Sequence, residues 1–172
     1  MSVFRDSQTR IDTMARLHER VYLSRSLSNI NISHHIQNTV EDLFETYRMD
    51  PGRIQLKLDL DDLTLGIDEA VPCGLIVNEL VTNVLKYAFP DDSSGLLEIS
   101  LKKQGNGTAE LTVRDNGRGF PSEMDPDRTD SVGLTLVRGL SQQLGGRMTV
   151  SNRKKGAEIT VSFPAGTEKE NR

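Results

Sequence analysis

Apolar residues recur along this chain at two different periods, and the switches between them divide it into elements. In residues 7–27, Ile11, Met14, His18 and Val21 fall three and four apart, with Leu17 and Tyr22 widening the stripe, which predicts a helix. A helix of that length is marginal alone, so its seam needs a partner, either another helix or a second copy of itself. Residues 28–32 read as a connector. A second amphipathic helix is expected over residues 33–47, carrying Ile36, Val40, Leu43, Phe44 and Tyr47. After the turn-forming run Met49-Asp50-Pro51-Gly52 the period drops to two. Residues 53–58 then alternate as a half-buried strand, and residues 61–65 form a short second one. A long helix follows, with Asp68 as its expected cap and Pro72 in its first turn, ending near Ala88 ahead of Pro90.

The second half turns more tightly: four glycines precede residue 104 and ten follow it. Residues 96–102 and 109–114 alternate and are joined through Gly105-Asn106-Gly107, a hairpin signal. A helix over residues 133–144 is closed by Gly145-Gly146, and residues 147–152 and 157–163 form a last hairpin turning near Lys154-Lys155-Gly156. Strands come mostly in hairpins with helices between them. That order predicts an α+β two-layer sandwich, one mixed and mostly antiparallel sheet covered by helices on one face, preceded by an N-terminal helix. The expected divisions are residues 1–30 for the helix and connector, 31–164 for the main domain and 165–172 for a polar tail that frays.

Composition narrows the field by exclusion. At 172 residues the chain suits one domain with a short appendage. A net charge of −4, no Trp and 5% aromatics argue against nucleic acid. No apolar run is long enough to cross a bilayer and the N-terminus does not resemble a secretory signal. The single cysteine, Cys73, has no intramolecular partner, which favours a reducing cytoplasm, and its neighbours Val71, Pro72, Leu75 and Ile76 make it a small core residue.

Three stretches carry chemistry. On the long, otherwise apolar helix, Glu79, Asn83 and Lys86 fall at i, i+4 and i+7 and form one polar ridge. That ridge is either an ordinary solvated face with an internal Glu–Lys pair or one wall of a site. The second stretch is Asp115-Asn116-Gly117-Arg118-Gly119-Phe120 at the end of an alternating run. An ionised Asp there only accepts hydrogen bonds, which suits an exocyclic amine, and the glycines permit close approach of a ligand; the plainer alternative is an Asp-Asn-Gly turn. Third, Ser131-Val132-Gly133-Leu134 opens directly into a helix whose free amides and positive dipole end favour phosphate, unless Ser131 serves only as a cap.

Taken in order, Glu79-x-x-x-Asn83-x-x-Lys86-Tyr87, Asp115-x-Gly117-x-Gly119 and Gly133-Leu134 resemble the N, G1 and G2 boxes of the GHKL ATPase superfamily, over roughly residues 31–164. That superfamily includes gyrase, a heat-shock chaperone, MutL and the histidine kinases. The run from Arg10 to Tyr22 resembles the second dimerisation helix of a sensor histidine kinase subgroup, to which Asn78-Glu79 and Phe120-Pro121 are also similar. The resemblance implies the Bergerat ATP-binding fold and an ATP-dependent protein histidine kinase with Mg²⁺. It implies that Asn83 holds the metal through its amide oxygen, that Glu79 is the polarising or basic catalytic group, and that Lys86 contacts phosphate. Tyr87 would cover the adenine and Asp115 accept from its amine, while Gly117, Gly119 and Gly133 let backbone approach. Phe120, Ser131 and Leu134 complete the implied set, and residues between Pro121 and Ser131 would form a lid. Implied partners are a response regulator receiver domain and a phosphoacceptor helix, its own or that of a partner chain in a homodimer, in a parent that is cytoplasmic or membrane-tethered.

This chain departs from the pattern at Ser131 and Thr135, where relatives often have glycine, and at Ala157, where a Thr often follows the glycine of the last hairpin. The acceptor helix is expected to lie outside the chain: His18 reads as a packed seam residue, and His34-His35 as an unremarkable pair opening a helix. Two rival functions stand beside the kinase reading, an anti-sigma-factor-type serine kinase and a non-catalytic, nucleotide-gated interaction module.

Overall fold

A computed structural model describes residues 29–90, 93–120, 131–152 and 155–165. The helix expected over residues 7–27, the lid after Phe120 and the polar tail lie outside the described residues. Elements run in the order β1 (Ile30–Asn31), α1 (Ile32–Thr46), β2 (Ile54–Leu60), β3 (Thr64–Leu65), α2 (Ile67–Asn83), β4 (Gly95–Gln104), β5 (Thr108–Asp115), α3 (Val132–Gln143), β6 (Arg147–Asn152) and β7 (Ala157–Pro164).

Five strands form one sheet in the order β2-β4-β5-β7-β6, with β2 parallel to β4 and every other pair antiparallel. Alternation sends Leu97, Ile99 and Leu101 of β4, Leu111 and Val113 of β5, and Ile159, Val161 and Phe163 of β7 to one buried face. There they meet Ile36 and Val40 of α1, Cys73, Ile76, Val77 and Leu80 of α2, and Leu134 and Val137 of α3. The other face is polar. At one register Lys57, Glu98, Arg114 and Glu158 stand side by side across four strands. Lys57 lies 3.2 Å from Glu98, whose other oxygen takes the Arg114 Nε–H at 2.7 Å, and Arg114 Nη1 is 3.9 Å from Glu158. The Arg114 guanidinium bound to Glu98 holds that carboxyl below its ordinary value. The α+β sandwich with helices on one face is therefore the observed architecture.

Local differences from the sequence expectation have local causes. Residues 28–32 contain a strand: Ile30 pairs with Leu65 and Asn31 with Thr64, a two-residue antiparallel ladder too short to carry a period. Asn31 then caps α1, accepting from the His34 N–H at 2.9 Å. Asp68 is not the cap of α2. Gly66 occupies that position without a side-chain bond, because β3 ends immediately before it, and Asp68 and Glu69 sit in the first turn facing the positive end of the dipole. Pro72 accordingly lies inside the helix, where its missing N–H deprives the Asp68 carbonyl of a partner. Beyond Asn83 the helix widens into a π turn, Val84–Ala88, before Pro90 ends it.

Candidate functional site

The site is built where β5 ends and β7 begins, beneath α2. Asp115 is the last residue of β5 and only 6% exposed. Its carboxylate accepts from the Gly117 N–H at 2.8 Å and from the backbone N–H of Ala157. Burial nevertheless dominates and pushes its carboxyl above the ordinary carboxylate value, the two N–H bonds pulling the other way. The support behind it is tight. Gly156 has φ +82°, and a Cβ there would stand 1.9 Å from the Asp115 carbonyl oxygen, so no side chain fits.

Above Asp115 opens a pocket of about 210 Å³. Val113, Ala157 and Ile159 form its floor, and Leu80, Val84 and Ala88 of the α2 helix and its π turn form one wall. Asn83, Tyr87, Ser131 and Leu134 line the remainder with Arg118, Gly119 and Phe120. The volume lies below the roughly 300–1,000 Å³ that encloses a whole drug-sized ligand, so a flat aromatic base fits inside while attached groups project outward. One buried acceptor on an apolar floor is suited to orienting such a base by its amine.

The structure thus brings together seven residues singled out in the sequence: Asn83, Tyr87, Asp115, Gly119, Phe120, Ser131 and Leu134. Four others lie off the pocket lining. Glu79 is 3% exposed, one turn before Asn83 on α2. Lys86 stands over the Tyr47 ring at the end of α1, its Nζ 5.8 Å from the centroid. The π turn has its own part in this. It begins right after Asn83, so Lys86 sits in a wider turn than the one that carries Glu79 and Asn83. Gly117 has a packing role: a Cβ there would come within 2.2 Å of the Ala88 carbonyl oxygen, so the glycine lets the loop lie against the end of the π turn. Gly133 is buried in the first turn of α3, and Ser131 does cap that helix, accepting from the Leu134 N–H at 3.3 Å.

Sequence reasoning missed Arg118 and the apolar floor. The floor had a usable signal, since Val113 shares the period-two face of Asp115 and Ile159 that of Ala157. What the sequence lacked was the β5–β7 pairing that sets Val113 opposite Ile159. Cys73 is fully buried with its thiol pushed up to about 12, an inert core residue as expected. His34 lies at the start of α1, its ring nitrogen 3.3 Å from the Asn38 amide.

Residues 68–167 match the family model described as histidine kinase-, DNA gyrase B- and HSP90-like ATPase, and residues 1–47 match a histidine kinase model. Blue-light-activated histidine kinase 2 of Erythrobacter litoralis (strain HTCC2594) is 30% identical over 118 residues, covering 69% of this chain and 34% of that protein. The anti-sigma F factor of Heyndrickxia coagulans is 30% identical over 116 residues, covering 67% of this chain and 77% of that protein. Among solved structures, the histidine kinase domain of the Erythrobacter litoralis EL346 blue-light activated histidine kinase superposes with a TM-score of 0.79 at 24% identity, over 91% of this chain and 73% of the other. The chain spans about a third of the length of that Erythrobacter litoralis kinase and of the Mycobacterium tuberculosis sensor histidine kinase PdtaS, to which it is also similar.

Proposed function

Because this chain belongs to the histidine kinase-, DNA gyrase B- and HSP90-like ATPase family, we propose that it is the ATP-binding catalytic part of a two-component sensor histidine kinase, moving the γ-phosphoryl of ATP to a histidine. One observation carries the reading: a buried carboxylate, fixed by two backbone N–H groups, lies in an apolar pocket that also receives Asn83 from the buried helix. Ionised, Asp115 accepts from the adenine amine. Val113 and Ile159 meet one face of the ring, and Tyr87, 51% exposed, covers the outer side. Such transfer needs little covalent help from the protein; positioning and charge stabilisation do the work.

The remaining roles belong to the same proposal. Glu79 is the polarising or basic group beside the γ-phosphate, one helical turn from Asn83. Lys86 reaches phosphate from its place over Tyr47, a charge-assisted contact of about 1.5–3 kcal/mol. Gly119 and Gly133 leave room for backbone near the ligand, and Ser131 and Leu134 border the phosphate end. Among the described residues no group of three or more His, Cys, Asp or Glu side chains is placed to hold a metal. That suits Mg²⁺ held mainly by phosphate oxygens with the Asn83 amide oxygen as its protein ligand. When bound, the ion neutralises charge on the transferring group.

We take residues 31–164 as the catalytic domain, acting on a phosphoacceptor helix in a homodimeric, cytoplasm-facing parent that charges a receiver domain. No helix among the described residues is long and apolar enough to cross a membrane. The similarity to an anti-sigma F factor makes a serine kinase the reading to test against. The histidine kinase match over residues 1–47 supports the histidine kinase reading. Titration with magnesium-ADP, followed by NMR at Asn83 and Asp115, tests the pocket; unmoved signals at millimolar nucleotide remove it. Labelled ATP with a supplied acceptor tests the class, acid-labile phosphohistidine supporting the kinase assigned above and acid-stable phosphoserine overturning it.

A further inference from the structure

We propose that Arg118 makes this pocket prefer a nucleotide to its nucleoside, its guanidinium at the pocket mouth meeting the first anionic group beyond the base. The inference rests on the nucleotide reading above and deepens it. Arg118 is held in place by its loop. The Asn116 N–H donates to the Leu96 carbonyl at 3.2 Å, and the Asn116 side-chain oxygen accepts from the Leu96 N–H at 2.8 Å. The Gly117 N–H is bound to Asp115 and the Arg118 N–H to the Ala88 carbonyl at 3.0 Å. With Gly117 packed against that same carbonyl, the loop has little room to shift, so the Arg118 backbone stands at a fixed offset from the carboxylate.

Depth and charge then set the polarity of the site. Asp115 is buried at the floor, whereas Arg118 is exposed yet still lines the pocket. A base-sized cavity leaves ribose and phosphates at the mouth. An anion on the floor repels phosphate and a cation at the mouth attracts it, so only the orientation with the amine inward satisfies both. Arg118 makes no ion pair with any described residue, so its planar fork of donors is available to phosphate oxygens in a two-bond arrangement that lysine does not reproduce.

The test compares ADP with adenosine by calorimetry on the 172-residue chain, for wild type, Arg118→Ala and Arg118→Lys, with thermal melts as the fold control. Arg118→Ala is expected to weaken ADP about tenfold, a change of about 1.4 kcal/mol, while adenosine stays within about twofold; Arg118→Lys recovers only part of the loss. Raising salt narrows the gap between ADP and adenosine more in wild type than in Arg118→Ala. Equal weakening of both ligands overturns the proposal, as does an unchanged ADP affinity, with the pocket itself intact in either case. A wild-type chain that binds neither ligand fails the nucleotide reading first, and the inference with it.

Discussion

Replacing Asp115 with asparagine exchanges a pure acceptor for a group that is half donor, at a point where the N–H groups of Gly117 and Ala157 already converge. Two effects separate. Within the protein, the amide has one oxygen left to accept from these two N–H groups, and an N–H left facing its NH₂ is an unsatisfied buried donor that costs about 1–3 kcal/mol. The loss is offset in part, because the buried carboxylate is itself disfavoured by desolvation and the amide is not. Stability is therefore expected to fall by only about 1 kcal/mol. Toward adenine, the variant loses a hydrogen bond to a charged acceptor, about 1.5–3 kcal/mol, or roughly tenfold to a hundredfold in affinity.

The pH dependence sharpens this expectation. The raised Asp115 value means that the folded state takes up this proton above the ordinary 3.8. Its contribution to stability is thus fully present below that ordinary value and is lost as pH rises through the raised one. Binding runs the opposite way: ADP affinity falls as pH drops through the raised value, because the protonated carboxyl no longer offers a charged acceptor. Calorimetric titration with ADP across mildly acidic to neutral pH, with urea melts on the same samples, reads both effects. ADP affinity within twofold of wild type in a folded Asp115→Asn variant, or a pH profile identical in the two proteins, would refute the role assigned to this carboxylate.

Asn83→Ala should abolish the magnesium dependence of nucleotide binding while leaving adenosine affinity unchanged, as titrations with metal and with chelator would reveal. Gly156→Ala places a Cβ 1.9 Å from the Asp115 carbonyl oxygen at φ +82°, so a loss of about 2–4 kcal/mol is expected in chemical denaturation; a neutral change would mean that the hairpin relaxes freely. A double-mutant cycle on Tyr47→Leu and Lys86→Met should give a coupling of about 0.5–1 kcal/mol in the free protein. That coupling should shrink when ATP is bound, because phosphate then competes for the ammonium.

Much of this molecule was legible locally. Among the described residues the period-two runs marked the main-sheet strands, and the period near 3.6 marked α1, α3 and the start of α2 to within a residue or two. Gly107 and Gly145, with φ of +75° and +68°, stand where the sequence put a hairpin turn and a helix stop. The order of the acid-glycine motif and the small-residue helix start also pointed to residues that line one cavity, because each motif is a property of neighbours in the chain. Less legible was anything that depended on a partner far away in sequence. The β1–β3 ladder joins residues 34 or so apart and has only two rungs, too few for a pattern. The π turn holds Lys86, whose Nζ stands over Tyr47, and its last residue, Ala88, meets the loop at Gly117, a contact between distant parts of the chain.

The sequence by itself determined which segments are helix and strand, and which residues have chemistry to offer, because backbone propensity, side-chain period and acceptor or donor character are local quantities. Only the tertiary structure decided which of those residues share a cavity. Pairing β5 with β7 set Val113 and Ile159 side by side in the lining of one cavity, burial raised the Asp115 carboxyl, and the hydrogen bond from the Arg118 N–H to the Ala88 carbonyl holds that loop beside the same cavity. Strand pairing and desolvation arise from the summed packing of the whole core, which no window of the chain contains.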